Sequence, residues 1–224
     1  MNTNIKALAG LVVLILVMAA VVFVAAGTLD YWQAWTFLVL YFASSVAITL
    51  NLMTYDPKLL QRRMSGGPWA EKEPAQKIIM SITSMGFIGL LVVPALDHRY
   101  GWSQASASTA LAGDALFLLG WIVIFFVFKA NTFTSATIEL APGQTVISTG
   151  PYALVRHPMY AGGLIMLVGI PLALGSLWGV LVIVAIVPAL IWRLLDEEKF
   201  LARNLPGYVA YQNTVPCRLI PMVW

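Results

Sequence analysis

Long apolar stretches alternate with short polar segments along the chain. Three of these stretches contain no charged residue, and a fourth contains only Asp114. The hydrocarbon core of a bilayer, ~30 Å thick, needs about 20 apolar residues of helix. The pattern therefore predicts transmembrane helices over residues 7–26, 33–53, 78–96 and about 110–128. The first stretch ends in small residues, as a cleaved signal peptide does, but its length and the spans that follow favour a membrane anchor.

A fifth apolar stretch, residues 160–192, is too long for one span and is interrupted by Gly175, Ser176 and Gly179. This pattern predicts two short helices of about 16 residues each, joined by a tight turn. Each arm contains a proline, Pro171 or Pro188, which a membrane helix tolerates when its neighbours satisfy the freed backbone groups. The predicted fold class is an all-α integral membrane protein with four transmembrane helices and a C-terminal two-helix membrane hairpin.

The composition agrees with this class, since 60% of the 224 residues are hydrophobic and only 10% are charged. With the predicted topology, only Arg99 falls on one side of the membrane. The other twelve basic residues all fall on the opposite side: Lys6, Lys58, Arg62, Arg63, Lys72, Lys77, Lys129, Arg156, Arg193, Lys199, Arg203 and Arg218. The positive-inside rule then places both termini and the segment 54–77 in the cytoplasm. The net charge of +3 indicates contact with anionic membrane lipids and not with nucleic acid.

The sequence argues against the common classes of metal and nucleotide site. Cys217 is the only cysteine, which excludes an internal disulfide and a multi-cysteine metal site. The two histidines, His98 and His157, fall on opposite membrane faces in the predicted topology, so no metal site is expected. The chain contains neither a dinucleotide-binding glycine fingerprint nor a P-loop.

Polar residues concentrate in the segment "TGPYALVRHPMYAGG", residues 149–163, directly before the hairpin. Pro158 predicts a helix that begins there, with Arg156 and His157 just outside it. A helix N-terminus carries partial positive charge and free N–H groups, which suit an anionic ligand. Alternatively, Arg156 snorkels to the interface, and Tyr152 and Tyr160 belong to an aromatic belt.

Two further polar segments flank the hairpin. Residues 131–152 contain β-branched residues and a Pro-Gly turn, which predicts a turn-rich loop with free backbone groups. The segment "ALIWRLLDEEKFL" places Arg193 and Glu197 four residues apart, so we expect them to pair on one helix face. A solvated run of charges is the usual explanation of such a cluster, but Arg193 follows the apolar stretch directly, where an ionisable group is costly and is a functional candidate.

Together these motifs resemble the isoprenylcysteine carboxyl methyltransferase family and the related phospholipid methyltransferases. The resemblance covers about residues 131–221, and the preceding spans match only as apolar segments. It comprises an R-H-P-x-Y-x-G motif, an E-E-x-x-L motif after the hairpin and a Y-x-x-Y motif: Arg156, His157, Pro158, Tyr160 and Gly162; Glu197, Glu198 and Leu201; Tyr208 and Tyr211.

The resemblance implies methylation dependent on S-adenosyl-L-methionine at the cytoplasmic membrane face. It implies N-terminal transmembrane helices over 1–130 and a catalytic region over 131–224, which includes a cofactor loop and a C-terminal helix, within one membrane domain. Arg193, Arg156 and Glu197 are the implied catalytic residues, with Arg193 holding the acceptor. The implied cofactor-binding residues are Gln144, Thr145, Val146, Ile147, Tyr152, His157, Pro158, Met159, Tyr160 and Glu197. Because the family often has histidine at the position of Gln144, backbone contacts are the firmer expectation there.

The expected acceptor is a lipidic or prenylated molecule that enters from the bilayer. A carboxylate is favoured, as in isoprenylcysteine, because it is already ionised at pH 7 and fits the arginine fork. A phospholipid amine, another lipid amine or a thiol stays open. A transporter is disfavoured because ionisable residues other than Asp114 are absent from the spans. A non-catalytic scaffold is also disfavoured, because it does not require two matched polar clusters on either side of the hairpin.

The charge asymmetry predicts that both termini lie on the cytoplasmic side. Reporters fused at Trp224 and in the loop 97–106 should therefore report opposite sides of the membrane. The same side for both fusions would contradict this topology.

Overall fold

The computed structural model describes residues 3–224, which form helices and connecting segments without a β-strand in that range. Short 3-10 turns occur at Pro68–Ala70 and Gly150–Ala153. The eight α-helices are α1 (Thr3–Ala26), α2 (Trp32–Tyr55), α3 (Pro57–Met64), α4 (Pro74–Tyr100), α5 (Ala107–Ala130), α6 (Pro158–Ala173), α7 (Gly179–Asn204) and α8 (Tyr208–Thr214). The all-α membrane fold class predicted from the sequence is confirmed.

The four predicted spans correspond to α1, α2, α4 and α5, each a few residues longer than its apolar stretch. All four are long and apolar enough to cross a membrane. Their outward surfaces agree with this role, because large apolar side chains such as Leu16, Val24 and Val39 are exposed. In a bilayer such residues contact lipid, so their exposure carries no cost.

The hairpin forms, but its two arms are unequal. The first arm, α6, has 16 residues, as expected. The second arm, α7, has 26 residues and is also long and apolar enough to span the membrane. The equal lengths expected for the two arms were wrong. After the apolar stretch, good helix formers such as Leu, Glu and Lys let the same helix continue through the charged segment to Asn204.

The segment 54–77, which the sequence marked only as rich in glycine and proline, is partly helical. Asp56 precedes α3, and its side chain accepts a hydrogen bond from the backbone N–H of Leu59. Pro57 occupies the first turn of α3, where its missing N–H has no cost. Leu59 and Leu60 are buried. These two leucines hold the segment against the ends of α2 and α5.

Small residues bring α5 and α6 into close contact. A Cβ atom built on Gly169 would lie 2.6 Å from the backbone nitrogen of Phe117, and one on Gly120 would lie 2.6 Å from the carbonyl oxygen of Gly162. Such approach of two backbones is typical of helix pairs in membranes, where association depends on van der Waals packing. The contact fixes the start of α6, and thus the R-H-P-x-Y motif, relative to α5.

A hydrogen-bonded cluster joins the turn of the hairpin to the end of α4. Buried Asp97 accepts from the hydroxyl of Ser176 at 2.5 Å and from the N–H and hydroxyl of Ser103, both at 2.6 Å. The Tyr31 hydroxyl donates to the carbonyl of Leu174 at 2.5 Å. These bonds hold the hairpin at the end opposite its charged segment.

The close α5–α6 contact predicts that Gly169→Ala destabilises the protein by about 1–3 kcal/mol, because the added methyl group meets backbone and forces the helices apart. Thermal unfolding in detergent measures this effect. Gly163→Ala on the same helix is the matched control, since its Cβ would have no neighbour within 4 Å, and it should leave the melting temperature unchanged or higher. Equal melting temperatures for the two variants would contradict the packing argument.

Candidate active site

A cavity of about 620 Å³ lies between the polar segments at one end of the helices. This volume is typical of small-molecule and cofactor sites. All the site residues expected from the sequence line it: Gln144, Thr145, Val146, Ile147, Tyr152, Arg156, His157, Pro158, Met159, Tyr160, Arg193 and Glu197. The fold therefore brings the loop, the start of α6 and the charged part of α7 to one place.

The cavity has an apolar part that extends between the helices. Met80, Thr83 and Phe87 of α4, Leu167 of α6 and Leu190 of α7 line this part. Polar and charged side chains line the rest. One cavity thus offers surfaces for both a polar and an apolar ligand group.

The loop before α6 is held by local turns. The Gln144 side-chain oxygen accepts a hydrogen bond from the backbone N–H of Ala141 at 2.9 Å. The turn between them contains Gly143, whose φ of +71° favours glycine. The Gln144 backbone N–H in turn donates to the carbonyl of Ala141 at 3.0 Å, so the side-chain oxygen and the N–H of Gln144 are both used within the loop.

The start of α6 is tied to the C-terminal segment. As predicted, α6 begins at Pro158, with His157 preceding it. The backbone N–H groups of Arg156 and His157 donate to the carbonyls of Cys217 and Arg218, both at 2.9 Å. The C-terminal segment therefore fixes the backbone of the two residues that precede α6.

Glu198 is the centre of a buried ionic cluster. It accepts from Arg156 Nε at 2.7 Å and Arg218 Nε at 2.9 Å, and it lies 3.3 Å from His157 Nε2. Arg156 Nη1 also donates to the carbonyls of Val215 and Pro216. Arg156 thus joins α6, α7 and the C-terminal segment, which is a structural use of a residue expected to be catalytic. Its catalytic role stays a prediction.

Glu197, the preceding residue, turns to the cavity and accepts a hydrogen bond from the Tyr160 hydroxyl at 2.7 Å. It takes part in no ion pair within residues 3–224. The two adjacent glutamates therefore differ in environment. Glu198 is already neutralised by the protein, whereas Glu197 presents a negative charge to the cavity.

Arg193 does not form its expected pair with Glu197. Its Nη2 donates to Glu71 at 2.7 Å, and its Nη1 donates to the side-chain oxygen of Gln76 at 2.9 Å. Nη2 also donates to the carbonyl of Ala136 at 3.1 Å. The reason is geometric: the segment before α4 folds over α7 and brings a buried carboxylate to the guanidinium. The acceptor-binding role of Arg193 stays a prediction, but both terminal nitrogens already have protein partners.

Besides Tyr160, three tyrosines line the cavity: Tyr152, Tyr208 and Tyr211. Burial raises the pKa of Tyr211 to about 12, although Arg156 lowers it, and burial also raises the pKa of Tyr152. Both phenols are therefore neutral at pH 7. The Tyr211 hydroxyl donates to the Tyr152 carbonyl at 2.7 Å. The hydroxyl of Tyr208 is buried and has no protein partner within residues 3–224, so it is available to a ligand.

The sequence-based reasoning missed Arg63, Glu71 and Gln76, which the segment 54–77 and the start of α4 bring to the site. No motif marks these residues. The sequence shows only that Arg63 and Glu71 are charged residues in a segment between two spans. It does not indicate which residues they contact.

Residues 108–206 match the family model described as phospholipid methyltransferase. This family includes integral membrane methyltransferases of the isoprenylcysteine carboxyl type, and the match confirms the resemblance seen in the motifs. The matched range contains α5, the loop, the hairpin and its charged extension, and therefore most of the cavity.

The cobalt-zinc-cadmium resistance protein CzcN of Cupriavidus metallidurans is 27% identical to the chain over 103 residues. The alignment covers 45% of this chain and 47% of CzcN, so the chain matches about half the length of this curated relative. Within residues 3–224, no group of three or more His, Cys, Asp or Glu side chains is arranged to hold a metal ion.

The Arg193–Glu71 pair predicts a large loss of stability in Glu71→Ala. The side chains are only 9% and 2% exposed, and removal of one partner leaves a buried charge, at a cost of about 3–5 kcal/mol. Lys72→Ala is the matched control, because Lys72 is 80% exposed and pairs with Glu139 at the surface, where such a pair contributes about 0.2–1 kcal/mol. Thermal unfolding of both variants measures the difference, and similar melting temperatures would contradict the structural role of Glu71.

Proposed function

We propose, from the match of residues 108–206 to the phospholipid methyltransferase family model, that the chain transfers a methyl group from S-adenosyl-L-methionine to a lipidic acceptor at the membrane face. The observation that carries this proposal is the cavity, which joins a charged end to an apolar part between membrane-spanning helices. A water-soluble cofactor fits the former and a lipid chain fits the latter.

The polar end fits the groups of the cofactor. Glu197 forms no ion pair within residues 3–224 and can accept from an ammonium or from ribose hydroxyls. The unpartnered Tyr208 hydroxyl offers a further buried donor and acceptor. Backbone groups of residues 144–147 and the start of α6 complete the surface. The proposed cofactor-binding set is thus the one expected from the motifs, with Tyr208 added.

The cofactor supplies an electrophilic methyl group on a sulfonium. The protein's part is to align the acceptor with that methyl group and to exclude water, and alignment alone can contribute on the order of 7–11 kcal/mol. The rigid attachments of α6, through the α5 contact and the Glu198 cluster, support such alignment. The hydrogen bond from the Tyr160 hydroxyl fixes the position of the Glu197 carboxylate.

The acceptor enters between helices through the apolar part of the cavity. A prenylated carboxylate, as in isoprenylcysteine methylation, is the acceptor that we propose first. Arg193 is then the residue that holds the carboxylate, as the family resemblance implies. A grip by Arg193 competes with Glu71 at 2.7 Å and Gln76 at 2.9 Å. This engagement, and the description of the matching family, favour a phospholipid amine as the second candidate.

We place the site on the cytoplasmic side, because the charged end of the cavity coincides with the basic segments that the positive-inside rule assigns there. Purified protein incubated with isotopically labelled S-adenosylmethionine should transfer label to a lipid. Mass spectrometry of membrane lipid extract and of a farnesylated cysteine, assayed separately, distinguishes the two candidate acceptors. No labelled product in either assay, together with no binding of S-adenosylhomocysteine, would overturn the proposal.

The proposed cofactor site predicts that Glu197→Gln weakens binding of S-adenosylhomocysteine about ten- to a hundredfold. A hydrogen bond between charged groups contributes about 1.5–3 kcal/mol, and the amide cannot replace the charge. Calorimetric titration measures the affinity. Glu73→Gln removes the same charge from an exposed position outside the cavity and should bind like the wild type. Unchanged affinity in Glu197→Gln would remove this residue from the site.

A further inference from the structure

The charges that line the cavity are balanced by the protein except at two residues. The charged lining side chains that have a partner of opposite charge are Glu139 with Lys72, Arg156 with Glu198, and Arg193 with Glu71. Arg63 and Glu197 line the same cavity and take part in no ion pair within the described residues 3–224. The cavity therefore presents one cation and one anion that form no ion pair with a described protein group.

Arg63 reaches the cavity from the end of α3. Its Nη1 donates to the carbonyl of Ser135 at 2.9 Å and lies 3.8 Å from the sulfur of Met159. Its guanidinium carbon lies 5.4 Å from the centre of the Phe128 ring, a cation–π arrangement that holds the planar group in place. Nε and Nη2 make no hydrogen bond within residues 3–224. An arginine has five N–H donors, so part of the fork remains available.

The surroundings of Arg63 favour an anion. Burial lowers the pKa of its guanidinium, and repulsion from Arg193 acts in the same direction, while Tyr160 and Tyr152 oppose the change. A half-buried cation without a counterion gains from any anionic ligand group that enters the cavity. Tyr160 also donates to Glu197 at 2.7 Å, so the unpaired cation and the unpaired anion both interact with the same tyrosine.

We propose that Arg63 binds the carboxylate of the cofactor's amino-acid end, while Glu197 binds the ammonium of that end. The assignment rests on the proposed function and deepens it. It favours the cofactor over the acceptor because Met159, Tyr152 and Tyr160, the neighbours of Arg63, all belong to the proposed cofactor surface. It also gives the segment 54–77 a role in binding that no sequence motif indicates.

The test compares S-adenosylhomocysteine with its decarboxylated analogue, which keeps the amine and the nucleoside. Calorimetric titration of Arg63→Gln should show a loss of about ten- to a hundredfold for S-adenosylhomocysteine, since one charge-assisted contact is removed. The affinity for the analogue should change less than about twofold, because it offers no carboxylate to the missing charge. The wild type should therefore prefer S-adenosylhomocysteine, and the variant should bind both ligands alike.

Arg62→Gln is the matched control, since Arg62 is the neighbouring arginine and does not line the cavity. It should keep the wild-type preference. If Arg63→Gln does not fold, Arg63→Lys replaces it: the charge remains but the planar fork is lost. Affinity for S-adenosylhomocysteine should then fall about tenfold, again without a change for the analogue.

Equal losses for both ligands would overturn the proposal, because Arg63 would then only shape the cavity. Unchanged affinities for both ligands, with or without a raised KM for the acceptor, would overturn it too. The wild type separates these failures from failure of the proposed function. If the wild type binds S-adenosylhomocysteine and the variants do not differ from it, only the role of Arg63 is wrong; if the wild type does not bind, the cofactor assignment fails as a whole.

Discussion

The arrangement of the site depends on the ionic contacts of the Glu198 carboxylate. This carboxylate connects α7 to Arg156 and His157 before α6 and to Arg218 in the C-terminal segment. These groups lie at the edge of a low-dielectric region, where an unpaired charge is costly and a satisfied network is rigid. The two arms of the hairpin are therefore fixed at both ends, by Glu198 at the cavity and by Asp97 and Ser176 at the turn.

The second buried pair, Arg193 with Glu71, joins the hairpin to the segment before α4. Gln76 adds to the link, because it accepts from Arg193 and donates to Asp196 on the same helix. A segment that looks like a plain connector thus covers the polar end of the cavity. Arg63, Gly66 and Gly67 of this segment line the cavity, so two separate parts of the chain enclose its polar end.

The charged groups at the cavity fall into two kinds: those paired within the protein and those that remain available to a ligand. Most charged groups at the cavity are paired, and a paired group has less to offer a ligand. The exceptions, Arg63 and Glu197, have opposite signs, which suits a zwitterion such as an amino acid. The apolar part of the cavity, by contrast, contains few polar groups and opens among membrane helices, which suits a lipid chain. This division of one cavity matches a reaction between a soluble donor and a membrane-bound acceptor.

The sequence by itself determined the class of fold, the positions of the four spans, the presence of the hairpin and the start of α6 at Pro158. These features follow from local patterns: apolar length for the spans, glycine for the turn and proline for the helix start. It also indicated the family and the residues that line one side of the cavity. The tertiary structure alone decided which charges pair. Arg193 and Glu197 are neighbours by helical spacing, yet the closest partner of Arg193 is Glu71, about 120 residues earlier in the chain. An ion pair depends on which distant segment is packed nearby, and no local pattern around Arg63, Glu71 or Gln76 specifies that packing.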